Sequence, residues 1–222
     1  MGRGPHHPVI TAVQTGGLTF LEETALNDLF DAVTRIEKAN MPGALVEAGC
    51  AEGGSAIVMA TAKSPARPLY VYDVFGMIPP PSERDGEDIH KRYDIIKSGQ
   101  SEGLGGRTYY GYVDNLYDVV VENFRRHDVA VDAHHVHLVK GLFQDTMHLD
   151  EPVALAHIDG DWYESVMTCL ERLVPRLVPG GTLVIDDYDA WSGCRTAIDE
   201  YFAGKDDYEM VRRSRLHIVR RQ

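Results

Sequence analysis

Three cysteines in 222 residues, with no CxxC or CxxH spacing among Cys50, Cys169 and Cys194, leave no basis for a disulfide framework or a zinc knuckle. No apolar run approaches the ~20 residues that a membrane helix needs. The opening Met1-Gly2-Arg3-Gly4-Pro5-His6-His7-Pro8 lacks the apolar stretch of a secretion signal, and its Gly/Pro content favours disorder over a metal site at His6 and His7. Positive charge is scarce: 22 Lys and Arg against 34 Asp and Glu give a net charge of -12. That balance disfavours nucleic acid and anionic membranes as main partners, because both would be repelled. The late arginines Arg212, Arg213, Arg215, Arg220 and Arg221 flank short apolar stretches and read as solvated strand faces. These absences predict a soluble, cytoplasmic chain of one domain, residues 1–222, whose ligand is neutral or cationic.

The apolar pattern alternates between two periods. Residues 20–39 carry Leu21, Ala25, Leu26, Leu29, Phe30, Val33 and Ile36 at helical spacing, within an N-terminal helical segment spanning 1–43. Such a stripe serves a homodimer contact or, more simply, packs on its own sheet. Residues 44–48 then read as a buried strand, followed by a glycine turn, a helix over 55–63 and a strand over 69–73, which together make a βαβ unit. Periodicity disappears over 76–107, and that segment is expected to be a lid with a short helix near 89–96. A helix over 112–126, strands over 135–140 and 153–158, and a helix over 163–177 follow. Pro179-Gly180-Gly181 then turns into a strand at 182–185, and a helix over 191–202 precedes a closing hairpin at 208–211 and 216–219. The alternation implies an α/β fold with a mostly parallel sheet, an antiparallel C-terminal edge, and helices on both faces.

Two acidic clusters close strands of that sheet. His157-Ile158-Asp159-Gly160-Asp161 ends one strand and Asp186-Asp187 ends another, which delivers carboxylates to the edge where α/β sheets bind ligands. Carboxylates crowded together repel one another, and a hard divalent cation with oxygen ligands relieves the repulsion while supplying a Lewis acid. Asp-Gly and Asp-Asp also start loops and cap helices, so the pattern alone admits either role. His134, His135 and His137 are less suggestive, since alternation places His135 and His137 in mid-strand, away from that edge.

The turn Val46-Glu47-Ala48-Gly49-Cys50-Ala51-Glu52-Gly53-Gly54-Ser55 is rich in glycine but is not GxGxxG. A dinucleotide pyrophosphate wants a helix N-terminus free of negative charge, and Glu47 and Glu52 would oppose it. The sulfonium and amino group of S-adenosylmethionine are cationic and suit those carboxylates. Asp73, at the next strand end, is placed to accept two hydrogen bonds from a ribose diol.

Six motifs, VEAGCAEGGSAI, VYDVFGM, KGLFQDT, HIDGDWYES, VPGGTLVIDDY and WSGCRTAIDEYF, stand in one order between about residues 45 and 202. In that order they resemble the macrocin O-methyltransferase family, which comprises metal-dependent sugar O-methyltransferases within the class I, Rossmann-like S-adenosylmethionine-dependent enzymes. The resemblance implies a seven-stranded sheet. It places Glu47, Gly49, Gly53 and Ser55 at the methionine end of the donor, Asp73 at its ribose, and Phe143 with Gln144 at its adenine. It also implies Mg2+ on Asp159, Asp186 and Asp187. The segment after Asp73 and the short N-terminus depart from the family's pattern, and in relatives both regions contact the acceptor.

The expected reaction is methyl transfer to a sugar hydroxyl whose proton is lost as the metal lowers its pKa. Asp159 is the first candidate for proton acceptor, with Asp161 and His157 in reserve, and His157 better suited to supporting a ligand. A catechol-like diol would use the same metal logic. An NAD-dependent oxidoreductase would need a different glycine turn, and a non-catalytic nucleoside-binding protein would not need the aspartates.

Overall fold

The computed structural model describes residues 7–222. Its centre is a seven-stranded sheet in the order β3-β2-β1-β4-β5-β7-β6. The strands are β1 (Ala44–Ala48), β2 (Leu69–Asp73), β3 (Val136–Lys140), β4 (Val153–Ile158), β5 (Leu177–Ile185), β6 (Tyr208–Arg212) and β7 (Leu216–Arg220). The first five run parallel, while β7 is antiparallel to both β5 and β6. Every residue of β1 and β4 is buried. Strands covered on both faces require that, which is why they appear in sequence as unbroken apolar runs.

Alternation along each strand splits the core in two. Leu45, Val71, Leu155 and Val184 pack with α1 (Pro8–Thr15), α2 (Glu23–Lys38), α3 (Gly54–Ala62) and α5 (Leu116–Arg126). Val46, Tyr72, Ala156 and Leu183 pack with α7 (Tyr163–Leu173) and α8 (Ser192–Phe202) on the opposite face. The buried stripe of α2, from Ala25 to Ile36, is consumed within this core.

The expected elements are present, with informative differences. Helix α1 lies within the helical segment expected over 1–43 and begins at the last residue of the Gly/Pro-rich start: Pro8 stands in its first turn, where a missing N–H costs nothing. His7 stacks on Phe30 at 3.6 Å between ring centroids, and His6 lies outside the described residues. The helix expected over 163–177 stops at Leu173 and tightens into a 3-10 turn, because Pro175 has no N–H to continue the ladder. Pro179-Gly180-Gly181 lies inside β5 as an irregularity in its pairing with β4 rather than ahead of the strand. His135 precedes β3 with a φ of 47°, so only His137 belongs to the strand.

Residues 76–107 contain α4 (Glu87–Lys97) and a 3-10 turn at Leu104–Gly106. Polar contacts hold the segment against the ligand edge. Asp85 accepts from the Tyr163 backbone N–H at 2.7 Å, Asp88 accepts from the Ser192 backbone N–H at 3.0 Å, and the Trp162 indole donates to the Pro79 carbonyl at 2.9 Å. Among the described residues no helix is long and apolar enough to cross a membrane.

Candidate active site

The carboxyl ends of β1, β2 and β4 are drawn together by a shared turn. Gly49, with a φ of +88°, receives its conformation from the left-handed region that glycine enters at no steric cost. Its N–H donates to the Tyr72 carbonyl at 2.8 Å. Asp73, the last residue of β2, organises the same turn: Oδ2 accepts from the Cys50 N–H at 2.7 Å and Oδ1 from the Phe75 N–H at 2.6 Å. Burial raises the Asp73 pKa, and these N–H donors oppose the rise.

Behind the turn lies a buried polar row. Glu47 of β1 accepts a hydrogen bond from Ser55 Oγ, and both its oxygens lie 3.1 Å from Nδ1 of His157, its register partner on β4. Burial pulls the His157 pKa down, but the charge of Glu47, together with that of Asp186, leaves it raised overall. The remaining ring nitrogen, Nε2, has no hydrogen-bond partner among the described residues and lies 4.0 Å from Asp186 Oδ1.

A cavity of about 270 Å³ opens above these strand ends. Gly49, Cys50, Ala51 and Asp73 form one wall, and Leu142 with Phe143 and Gln144 at the start of α6 (Phe143–Thr146) forms another. The residues expected around the donor therefore divide. Gly49, Asp73, Phe143 and Gln144 line the cavity, whereas Glu47 and Ser55 stand behind its wall as a buried pair, and Gly53 packs against Val120 and Phe124. The roof comes from 76–107 and the turn after it, through Ile78, Pro79, Arg92, Ile96, Tyr109 and Tyr110. Among the described residues Arg92 is the one Lys or Arg in the lining, with its guanidinium 5.7 Å from the Tyr109 ring centroid.

The floor is acidic. Asp159, Asp161 and Asp187 each offer an oxygen, and the three oxygens lie within 4.8 Å of one another. The Asp161 N–H also donates to Asp187 Oδ2 at 3.2 Å. Asp161 adopts a φ of +53°, a left-handed conformation that costs a non-glycine residue about 1–2 kcal/mol and turns it back toward the other two. Burial and mutual repulsion push the pKa values of Asp159 and Asp187 well above the usual carboxylate range. Asp161 is pushed up to about 6 by burial and the charge of Asp186, against the pull of Trp191 and Arg92. Asp186 lines the same cavity but stands apart from the three, with Oδ1 accepting from Arg215 Nε at 2.5 Å.

Such a floor suits a hard divalent cation. Three convergent carboxylates destabilised by one another gain most from a +2 charge, and all the donors are oxygens. The structure thus brings Asp159 and Asp187 together as expected, adds Asp161, and gives Asp186 a cationic partner. Asp161 was legible as the second acid of Asp-Gly-Asp, but strand alternation gives no guide to a residue beyond the strand end. Sequence pattern alone makes Arg215 one more solvated arginine. The clue lay in topology, since an antiparallel β7 after β5 returns its leading turn to the ligand edge.

Comparison with known proteins bears on this cavity. The sequence profile of the family described as macrocin O-methyltransferase (TylF) matches residues 12–212. The 8-demethyl-8-(2,3-dimethoxy-alpha-L-rhamnosyl)-tetracenomycin-C 4'-O-methyltransferase of Streptomyces olivaceus is 31% identical over 201 residues, covering 88% of this chain and 67% of that protein. Demethyldecarbamoylnovobiocin O-methyltransferase of Streptomyces niveus is 30% identical over 190 residues, covering 80% and 65%. The chain thus spans about two thirds of the length of these relatives. Among solved structures, the O-methyltransferase NovP superposes with a TM-score of 0.75 at 26% identity, covering 95% of this chain and 88% of that one.

Proposed function

The chain belongs to the macrocin O-methyltransferase family of S-adenosylmethionine-dependent O-methyltransferases, and from that premise we propose that it methylates a sugar hydroxyl of a natural-product glycoside or oligosaccharide with the help of Mg2+. One observation carries this reading: the convergent Asp159, Asp161 and Asp187 share a cavity with Asp73, Phe143 and Gln144. The residues proposed for the nucleoside thereby adjoin the oxygen donors proposed for the cation. The relatives' names, for a rhamnosyl tetracenomycin and for demethyldecarbamoylnovobiocin, support a glycoside acceptor. The three cysteines, all buried and unpaired, support a reducing cytoplasm as its compartment.

S-adenosylmethionine supplies a methyl group on a sulfonium, which leaves as the neutral thioether when an oxygen attacks from the opposite side. Asp73 takes the ribose hydroxyls, using acceptor capacity left beyond its two backbone N–H bonds, and the Gln144 amide reads the adenine edge beside the Phe143 ring. Glu47 acts from behind the wall. Its charge, buried and paired with Ser55 and His157, fixes the turn and favours a cationic donor. Asp159, Asp161 and Asp187 would hold the divalent cation, and a cation bound there lowers the pKa of an acceptor hydroxyl as a Lewis acid.

The proton then needs an acceptor on this chain. Asp159 lies at the junction of the two walls, within the carboxylate cluster and beside Gly49 of the donor turn, and we assign it that role. Residues 76–107 act as the lid: Ile78, Pro79 and Ile96, with Tyr109 just beyond the segment, roof the cavity with largely apolar surface that excludes water from the transfer. The test is transfer of labelled methyl to a panel of neutral glycosides, nucleotide-linked sugars and catechols, with and without Mg2+. Metal-dependent labelling of glycosides supports the proposal, and labelling confined to catechols replaces the sugar reading. Undiminished labelling of glycosides in excess chelator removes the metal from it.

A further inference from the structure

We propose that Arg215 is the positioning residue of the acidic floor, acting through Asp186, so that the closing hairpin is part of the site. This rests on the divalent-cation reading above. The topology brings the residue there. Leu216, the first residue of β7, pairs with Ile185, the last of β5, so the turn between β6 and β7 arrives beside Asp186 at the ligand edge.

The guanidinium spans two carboxylates. Nε donates to Asp186 Oδ1 at 2.5 Å, while Nη1 and Nη2 donate to the two oxygens of Glu22 at 2.6 and 2.7 Å. Glu22 occupies the cap position before α2, so one fork ties the start of α2 to the end of β5, 164 positions away in the chain. The neighbouring Ser214 is pinned to the same helix, its N–H donating to Asp28 Oδ2 at 2.9 Å. Side-chain exposure is 21% at Arg215 and 13% at Asp186, so the pair is shielded from most solvent.

Anchoring Oδ1 has a consequence for Asp186. The carboxylate lines the cavity beside three others, and its Oδ2 makes no hydrogen bond among the described residues. With one oxygen held, rotation about the terminal torsion is lost, and the second oxygen keeps a fixed place at the edge of the floor. Arg215 also offsets one of four crowded negative charges, which lowers the repulsion that would otherwise splay them. A lysine could neutralise the charge but could not bridge Asp186 and Glu22 in one plane.

The experiment measures Mn2+ affinity by calorimetry and by loss of the free-ion electron paramagnetic resonance signal. It compares the unaltered chain with Arg215→Ala, Arg215→Lys and Glu22→Ala, and follows S-adenosylhomocysteine affinity and Tm in parallel. Arg215→Ala and Arg215→Lys are expected to weaken Mn2+ binding about 10-fold, the low end of the cost of removing a hydrogen-bonded support of a metal site, while S-adenosylhomocysteine affinity stays within about twofold. Glu22→Ala, which removes a half-exposed carboxylate, shifts Mn2+ affinity in the same direction by a smaller factor. Unchanged or tighter Mn2+ binding in Arg215→Ala overturns the inference, as does parallel loss of both affinities, the mark of a merely structural role. Should Arg215→Ala fail to fold, Glu22→Ala decides by the same criteria. If the unaltered chain binds no Mn2+, the cation reading itself fails and takes this inference with it, whereas Mn2+ binding that ignores residue 215 sinks this inference alone.

Discussion

A β-carbon at Gly49 would lie 2.0 Å from the carbonyl oxygen of Asp159. The donor turn and the acidic floor are therefore in backbone contact, and neither can shift without the other. The contact explains why a glycine is needed at this point even though the turn is not a dinucleotide fingerprint. It serves the packing of β1 against β4 as much as the approach of a ligand.

Replacing Gly49 with alanine combines that clash with a side chain at a φ of +88°. The cost expected from overpacking and from the left-handed backbone together is about 2–4 kcal/mol, read as a lower urea midpoint. Because the clash is with Asp159, the variant should lose Mn2+ and S-adenosylhomocysteine affinity together. Loss of one without the other would show that the two halves of the site are less rigidly joined than this contact implies.

The floor aspartates should behave differently from the nucleoside wall. Asp159→Asn and Asp187→Asn remove charge with little change in shape, and each is expected to cut turnover at least 100-fold and to weaken Mg2+, with S-adenosylhomocysteine affinity nearly unchanged. Asp73→Asn should do the reverse. An amide cannot accept from both the Cys50 and Phe75 N–H groups with its two ends, so the donor turn loosens and cofactor affinity falls first. Calorimetry with each ligand separates the two patterns.

Most of the sheet was legible because β1, β2 and β4 are short apolar runs with a carboxylate at or next to their last residue, and burial on both faces forces the apolar composition. The acidic floor was legible only in part. Asp159 and Asp187 follow directly from strand ends, but the turn that brings Asp161 to them depends on a positive φ that Asp-Gly-Asp does not dictate. Arg215 was hidden for another reason. Its partners Asp186 and Glu22 lie 29 and 193 residues away, and no local pattern distinguishes a bridging arginine from the solvated ones around it. Within the helical segment expected over 1–43, the bounds of α1 are not legible, because eight residues beside a Gly/Pro-rich start carry little periodicity, and tertiary packing of Ile10 and Val13 supplies what propensity does not.

The protonation of the floor sets a pH dependence with a definite sign. Asp161 is pushed up from 3.8 to about 6, and Asp159 and Asp187 shift the same way, so the folded chain without metal holds protons that the unfolded chain releases. Their contribution to stability is fully present below about pH 4 and is lost as pH rises through about 6 and beyond. A divalent cation replaces those protons. The rise in Tm on adding Mg2+ should therefore be small at pH 5 and should grow steadily to pH 7.5, with proton release detectable by calorimetry in buffers of different ionisation enthalpy. A Tm gain independent of pH would mean that the cation does not reach these carboxylates.

The roof offers a separate handle on turnover. Trp162 follows directly after the floor residue Asp161, and its indole N–H donates to the Pro79 carbonyl at 2.9 Å, so one side chain joins the floor to the lid. The ring is 2% exposed and meets Trp191, another lining residue, edge to face at 6.1 Å. Trp162→Phe keeps an aromatic ring but removes the donor, leaving the Pro79 carbonyl without its partner at a cost of about 1–2 kcal/mol to the closed roof. If closure excludes water and completes the acceptor site, the variant should raise the acceptor KM several-fold and lower kcat, while Mn2+ affinity is unchanged because Asp159, Asp161 and Asp187 are untouched. Faster amide exchange over residues 76–86 should accompany the kinetic change. Altered kinetics without faster exchange would instead place the effect in the direct packing of Trp162 against the acceptor.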